Sequence, residues 1–224
     1  MNDALYIAAK APRPNFAKTR LGRAIGHDNA AALYKAFLAD LAARFAPSPF
    51  GLRWHVTPDD AWTDIAPLVG RNGRAARVSV QVGRDWAGRQ GRLFREAAAR
   101  GEGRIVLIAS DSPHLSVEVV GDAFRELDRH DLVFGPTHDG GYYLIGQRDT
   151  AVRHDVLGGV PMSTGTELGD ITARALRAGL SVGWVEATFD VDELEDLERL
   201  RPLATTRPDL AATRAALETF GLPG

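Results

Sequence analysis

Apolar positions along this chain fall into two alternating rhythms. Ala4 to Ala8 is an uninterrupted apolar run and predicts a first strand, whereas from Asp28 to Phe45 the residues Leu33, Phe37, Leu41 and Phe45 lie four apart. That spacing, with Leu38 and Ala42 beside it, is the stripe of a helix packed on a sheet, and Pro47 and Pro49 end it. Leu52 to Thr57 predicts a second strand, Asp59 to Leu68 a short helix, and Val78, Val80 and Val82 a third strand through their β-branched alternation. Gly91 to Arg100 predicts a helix with Leu93, Phe94, Ala97 and Ala98 on one side.

Arg104 to Ala109 is a continuous apolar run of the kind found in a strand covered on both faces. Ser116 can cap the helix that follows, with Val117, Val120, Phe124 and Leu127 turned to the core, and Asp131 to Gly135 predicts another strand. Asp139-Gly140-Gly141 between apolar runs is a hairpin signal leading into a strand from Tyr142 to Gly146. Beyond it the pattern predicts a short helix near Thr150, a helix from Thr164 to Gly179, a strand from Ser181 to Val185, and two terminal helices after Val191 and Thr206. Strands alternating with helices predict a doubly wound, mostly parallel α/β sheet, and the absence of repeats or long linkers predicts one domain over residues 1–224.

Composition narrows the chemistry. Of 224 residues, 45% are hydrophobic and 25% charged, enough for one sizeable core, and the formal net charge of −2 disfavours a general nucleic-acid or anionic-membrane binder. There is no cysteine, which removes disulfides, thiolate metal sites and thiol catalysis. No apolar run approaches the roughly 18 to 20 residues that span a bilayer, and no signal peptide is evident, so a cytoplasmic soluble protein with no membrane or nucleic-acid partner is expected.

Against this near-neutral background, the segment after the first strand stands out. Lys10, Arg13, Lys18, Arg20 and Arg23 occur with no intervening acid, and Pro12 and Pro14 keep the stretch from continuing the strand, so the charge is expected in a loop. A solvated surface loop is the plain alternative. In open α/β sheets, however, ligands bind outside the carboxyl ends of the strands, where this loop must lie, so phosphate binding is the expected role.

Three acidic positions complement it: Asp111 where a buried strand emerges, Asp139 in the glycine-rich turn, and the pair Asp190 and Asp192. Separated carboxylates beside cations suit phosphate chemistry with Mg²⁺ or Mn²⁺, because such a hard cation takes one or two carboxylates and completes its shell with phosphate oxygens and water. Asp111 has an equally good structural reading as a bonder of turn amides. Gly140 and Gly141 let a backbone approach a sugar or base, and Tyr142 and Tyr143 point to opposite faces if they lie in a strand. Asp192 with Glu195, and Thr164 with Glu167, form capping-box patterns, and the first of these leaves Asp190 without a structural role. Zinc-hydrolase, nucleophile-elbow, Walker and dinucleotide fingerprints are absent, and His138 is expected as a surface imidazole.

Taken together, Lys10-Ala-Pro-Arg-Pro with Ala17-Lys-Thr-Arg-Leu, Leu107-Ile-Ala-Ser-Asp-Ser-Pro, Gly135-Pro with Asp139-Gly-Gly-Tyr-Tyr-Leu-Ile-Gly, and Phe189-Asp-Val-Asp with Glu195-Asp-Leu resemble the DUF2064 family of glycosyltransferase A (GT-A) fold. Its members are often labelled radical-SAM- or selenodomain-associated, or arsenosugar-biosynthesis, transferases. More distantly the chain is similar to the molybdenum-cofactor and phospholactate nucleotidyltransferases, which share the nucleotide-diphospho-sugar transferase fold. The resemblance implies that Arg13, Lys18 and Arg20 hold the triphosphate, to which the basic stretch adds Lys10 as a phosphate-binding candidate, and that Asp111, with Asp190 or Asp192, binds the metal. It places Asp139, Gly140, Gly141 and Tyr142 on the acceptor or sugar side. Lys18, Asp111 and Asp139 are the catalytic candidates. The family usually carries Gln-Gly and then an Asp-Leu-Gly-Glu-Arg-like run, where this chain has Gly83-Arg-Asp-Trp-Ala-Gly-Arg-Gln-Gly-Arg-Leu93. A difference in substrate is therefore expected there.

The function so implied is metal-dependent nucleotidyl transfer from a nucleoside triphosphate to a small phosphorylated or phosphonate acceptor. Two alternatives accompany it: glycosyl transfer from a nucleotide sugar, with Asp139 a candidate base, and a nucleotide-binding module without turnover. The sequence leaves the base, the acceptor and the oligomeric state open.

Overall fold

A computed structural model describes residues 2–70 and 77–220. Its centre is a seven-stranded sheet, built from β1 (Asp3–Lys10), β2 (Gly51–Thr57), β3 (Arg77–Val80), β4 (Arg104–Ala109), β5 (Leu132–Pro136), β6 (Tyr142–Arg148) and β7 (Val182–Trp184). The strand order is β3-β2-β1-β4-β6-β5-β7, and only β6 runs antiparallel to its neighbours. From β1 the chain moves outward to β2 and β3, then returns to place β4 on the other side. This reversal opens a crevice at the carboxyl ends of β1 and β4, where Ala8 pairs with Ala109 and Lys10 with Thr57.

Both faces of the sheet are covered, so β1 and β4 read as continuous apolar runs instead of alternating ones. One face carries α1 (Thr19–Ile25), α2 (His27–Phe45), α3 (Trp62–Ile65), α5 (Val117–Glu126), α7 (Leu194–Thr206) and α8 (Ala211–Thr219), whose apolar residues join one core with Leu5, Ile7, Val106 and Ile108. The other face carries α4 (Trp86–Ala99) and α6 (Glu167–Arg177) over Tyr6, Leu107 and Ile145. Leu33, Phe37, Leu41 and Phe45 of α2 are all fully buried, as their four-residue spacing predicts.

Several elements depart from the sequence expectation. The cationic stretch is not wholly a loop: Arg20 and Arg23 lie on α1, whose apolar positions Leu21 and Ile25 make a single pair of helical contacts. The helix expected over 59–68 shrinks to one turn, and the segment near Thr150 is a series of turns. The third strand ends at Val80, and Val78, Val80 and Val82 are exposed on this edge. Helix α4 begins five residues before Gly91 because Asp85 caps it, its carboxylate accepting from Gly88 N at 2.7 Å. At α7 the capping box is formed by Glu193 and Asp196, one residue later than expected. Helix α6 starts at Glu167, not at Thr164, and the Glu167 carboxylate instead accepts from the amides of Ser163 and Thr164. Ser116 caps α5 as expected, accepting from Val119 N. No helix among the described residues is long and apolar enough to cross a membrane.

Two buried imidazoles set an acid limit on this fold. Burial is the chief cause that lowers both His55 and His114 to about 4, helped at His114 by Arg207 and Arg44. Such a group binds its proton less readily when folded, so stability is full above the unfolded value near 6.5 and falls as pH drops toward 4. The upper bound is roughly 3 kcal/mol per imidazole. Urea unfolding midpoints should therefore decline over this window, and His114→Gln should flatten the decline; an unchanged slope would remove His114 from this role.

Candidate functional site

A cavity of about 520 Å³ occupies the crevice. Its floor is the ends of β1 and β4, through Ala8, Ala9, Lys10, Ala109, Ser110 and Asp111, and the start of β6, through Tyr142 and Tyr143. Arg20 of α1, Asp190 and Asp192 form one wall, while Trp86, Arg89 and Gln90 of α4 form the opposite one. Thr137, Asp139, Gly141, Ser163, Gly165 and Glu167 close the third side.

The acids of the first wall are joined by short links between the loops after β4 and β7. Ser112 Oγ donates to Asp190 Oδ1 at 2.6 Å and to Phe189 O at 3.0 Å, and Val191 N donates to Asp111 O at 2.9 Å. Behind them the guanidinium of Arg44 donates to the carbonyls of Pro113 and Leu115, and that of Arg207 to the carbonyl of His114. The Asp111 turn is thus fixed from below. Burial, followed by the nearby charge of Asp111, raises the Asp190 carboxyl to about 7.

Lys18 lies beneath these acids, with its side chain only 2% exposed. Its ammonium pairs with Asp111 and approaches Asp192 Oδ1 at 3.1 Å. Burial alone would lower the lysine, but the two carboxylates outweigh it and raise it, while the same pairing lowers Asp192. Lys18 takes up a left-handed backbone conformation at φ 51°, uncommon outside glycine, and this directs its stem inward at the start of α1. Its Nζ is 5.8 Å from the Tyr34 ring, and the Tyr34 hydroxyl in turn shares a 2.6 Å hydrogen bond with Ser110 and accepts from Lys10 N.

The structure therefore separates the residues that the sequence grouped. Lys10, Arg20, Asp111, Asp139, Gly141, Tyr142, Asp190 and Asp192 line the cavity. Arg13 does not; its guanidinium is taken up by Asp60 and Asp64 at 3.0 and 2.6 Å. Gly140 does not either. With φ 89°, a Cβ there would collide with Gly165 O, so its room is filled by the neighbouring loop. Asp139 Oδ1 accepts from Thr137 Oγ1 at 2.5 Å and from Gly141 N at 3.2 Å. Tyr142 and Tyr143 do face opposite sides, each joining a different core. The Tyr142 hydroxyl bonds the fully buried Gln90 amide at 2.9 Å, and Tyr143 donates to Glu186 O at 2.6 Å. His138 is exposed.

Comparison with known proteins gives this geometry its context. The family model described as an uncharacterized protein conserved in bacteria (DUF2064) matches residues 52–164, just over half of the chain. The chain belongs to that family. Among solved structures, a provisionally named nucleotide-diphospho-sugar transferase from Desulfovibrio desulfuricans G20 is 29% identical, with a TM-score of 0.89 over 97% of this chain and 94% of its own. A cytidylyltransferase from Leptospira borgpetersenii is 13% identical, with a TM-score of 0.61 over 98% and 93%. A CMP-2-keto-3-deoxy-manno-octonic acid synthetase complexed with CTP is 12% identical, with a TM-score of 0.56 over 92% and 99%. No curated protein matches the chain. The fold of this DUF2064 member is thus that of nucleotidyl and nucleotide-sugar transferases.

Relative to the sequence expectation, the DUF2064 site gains Tyr34, Ser110, Ser112, Trp86, Arg89 and Gln90. Ser110 and Ser112 flank Asp111 in a quoted motif and were legible from it. Tyr34 was hidden in the apolar stripe of α2, and Arg89 stood in the stretch where the family pattern is altered.

One or two carboxylates of this wall are the kind of oxygen donor that a hard divalent cation takes. Asp111 and Asp192 share the ammonium of Lys18, and Asp190 stands in the same wall, raised to about 7 by its burial first and then by the charge of Asp111. No group of three or more carboxylates or imidazoles among the described residues is gathered into a metal-holding set. Such a site suits an ion that takes one or two carboxylates and draws its other ligands from substrate phosphates.

Proposed function

We propose that this protein is a Mg²⁺- or Mn²⁺-dependent transferase that moves a nucleotidyl group from a nucleoside triphosphate to a small phosphorylated or phosphonate acceptor. The observation that carries the reading is the acid wall, Asp111 with Asp190 and Asp192, standing beside Lys10 and Arg20 at the carboxyl ends of β1 and β4. The CTP complex and the cytidylyltransferase of the same fold support a nucleotide as the ligand.

In this reading Lys10 and Arg20 bind the triphosphate, and Asp111 with Asp190 or Asp192 holds the metal, which when bound neutralises phosphate charge and fixes the phosphates' orientation. Lys18 keeps the carboxylates converged as their internal counter-ion. The acceptor oxygen attacks the α-phosphorus and pyrophosphate leaves. Positioning and charge neutralisation carry the step, so no protein nucleophile is required. Asp139, Gly141 and Tyr142 border the acceptor side, and the carboxylate of Asp139 is kept in place by Thr137.

The 29% identical relative, named for nucleotide-diphospho-sugar transfer, favours a second reading in which a nucleotide sugar is the donor. Thermal-shift titration with nucleoside triphosphates and nucleotide sugars, each with and without Mg²⁺, separates the two. Triphosphates are expected to raise the melting temperature in a Mg²⁺-dependent manner, following affinity and concentration. A shift with nucleotide sugars alone would favour glycosyl transfer, and a shift without turnover would favour a binding module.

The same titration tests the division of cations. Lys10→Ala and Arg20→Ala should each weaken triphosphate binding about 5- to 30-fold, the loss of one charge-assisted phosphate contact. Arg13→Ala should leave it within about 2-fold, because Arg13 is spent on Asp60 and Asp64. Equal losses at all three positions would return the binding role to the whole basic stretch.

A further inference from the structure

The wall of the cavity opposite the acids holds a cation with unspent donors. Arg89 is the fourth residue of α4, half-buried, and its Nε donates to Gly83 O at 3.3 Å. Among the described residues no carboxylate lies within ion-pair distance of it, and the two terminal nitrogens of its fork have no hydrogen-bond partner. The contrast with the other arginines near the crevice is sharp in chemical terms: Arg13 is taken by Asp60 and Asp64, and Arg20 lies 3.5 Å from Glu193.

Arg89 is also held in a fixed place. Asp85 caps the first turn of α4, and a Cβ at Gly83 would stand 3.0 Å from Arg89 N and 3.1 Å from its Cγ. Glycine at 83 is therefore what allows the arginine stem to pass. Trp86 and the fully buried Gln90, whose amide is engaged by Tyr142, line the same cavity. An anchored guanidinium with both terminal nitrogens free, lining a cavity, matches a bidentate tetrahedral oxyanion.

We propose that Arg89 binds the phosphate or phosphonate group of the second substrate, on the wall facing the metal-holding acids. A ligand gripped there has its remaining atoms directed across the cavity toward Asp111, and Tyr142 and Gln90 border the space between. The assignment to the second substrate rests on the nucleotidyl-transfer reading; the anion site itself does not. Arg89 acts by positioning the acceptor, so its loss raises the requirement for acceptor more than it slows the step at saturation.

The test is a calorimetric titration of the full chain with inorganic phosphate, with pyrophosphate held at saturation to occupy Lys10 and Arg20. Arg89→Ala should weaken phosphate binding about 10-fold or more while changing pyrophosphate binding by less than about 2-fold. Gly83→Ala, which displaces the arginine stem without removing its charge, should give the same selective loss, whereas Arg92→Ala on the same helix, paired with Glu96, should give none. Unchanged phosphate affinity in Arg89→Ala overturns the proposal. A loss confined to pyrophosphate also overturns it, moving Arg89 to the nucleotide side. Selective phosphate loss in a protein that turns over no nucleotide keeps the anion site and removes the nucleotidyl-transfer reading.

Discussion

Asp111→Asn is expected to lower metal-dependent nucleotide turnover roughly 10²–10³-fold while moving the melting temperature only a few degrees. The two effects separate because Asp111 is structurally replaceable and electrostatically not. Its carboxylate is 37% exposed, its carbonyl keeps the bond from Val191 N whatever the side chain, and Lys18 retains Asp192 as a partner. Because Asp111 is partly hydrated and the buried Lys18 keeps a second carboxylate, the loss stays below the roughly 3–5 kcal/mol of breaking a fully buried pair. The charge that holds a divalent cation against phosphate oxygens has no substitute in asparagine. Steady-state turnover and a thermal melt on the same preparation check both halves, and retained turnover would remove Asp111 from the metal site.

Asp190→Asn sharpens the contrast. Asp190 is forced up to about 7 by burial and by Asp111, so its ionised form strains the folded state at neutral pH. The amide keeps the bond from Ser112 and drops the charge. This variant should melt higher than the wild type at pH 8 and yet bind the metal more weakly, the trade expected where a fold holds like charges together for chemistry.

What the sequence disclosed about this protein followed burial. Runs such as Ile105 to Ile108 and the stripe of α2 exist because those residues are excluded from water, and exclusion writes itself into composition at a fixed period. Helix α1 leaves little trace in the sequence because only Leu21 and Ile25 carry its helical spacing while Arg20 and Arg23 dominate the local count. The first turn of α4 is obscured by Gly88, a poor helix former, although Asp85 announces the cap. Cations were legible as cations but not as free or spent. Arg13 is consumed by acids 47 and 51 positions away, and Lys18 by Asp192, 174 positions away, pairings that only the folded topology creates. Arg89 is inconspicuous in the sequence for the converse reason: it lies outside the basic stretch, and what distinguishes it is the lack of a carboxylate partner among the described residues.

Lys18→Met should produce the largest loss of stability at this site, and its pH dependence distinguishes a counter-ion from a phosphate hook. Methionine preserves the stem that packs near Tyr34 and Phe37, so the change removes mainly the ammonium. Taking one partner from a buried pair costs roughly 3–5 kcal/mol, and the low end applies because Asp111 and Asp192 stay 37% and 41% exposed and can draw on water. Lys18 depresses Asp192, and a carboxyl so depressed contributes stability that is present above its unfolded value near 3.9 and lost as pH falls through the folded one. The difference between wild type and Lys18→Met should therefore be full at pH 7 and shrink below about pH 4. Mg²⁺ added without nucleotide should restore more of the melting temperature in the variant than in the wild type, since the divalent ion takes over the neutralisation that lysine performed. Melting curves at pH 7 and pH 3.5, each with and without Mg²⁺, check the argument. A variant as stable as wild type at pH 7 would mean that Lys18 is not the counter-ion of Asp111 and Asp192, and its ammonium would then be available to a phosphate from the start.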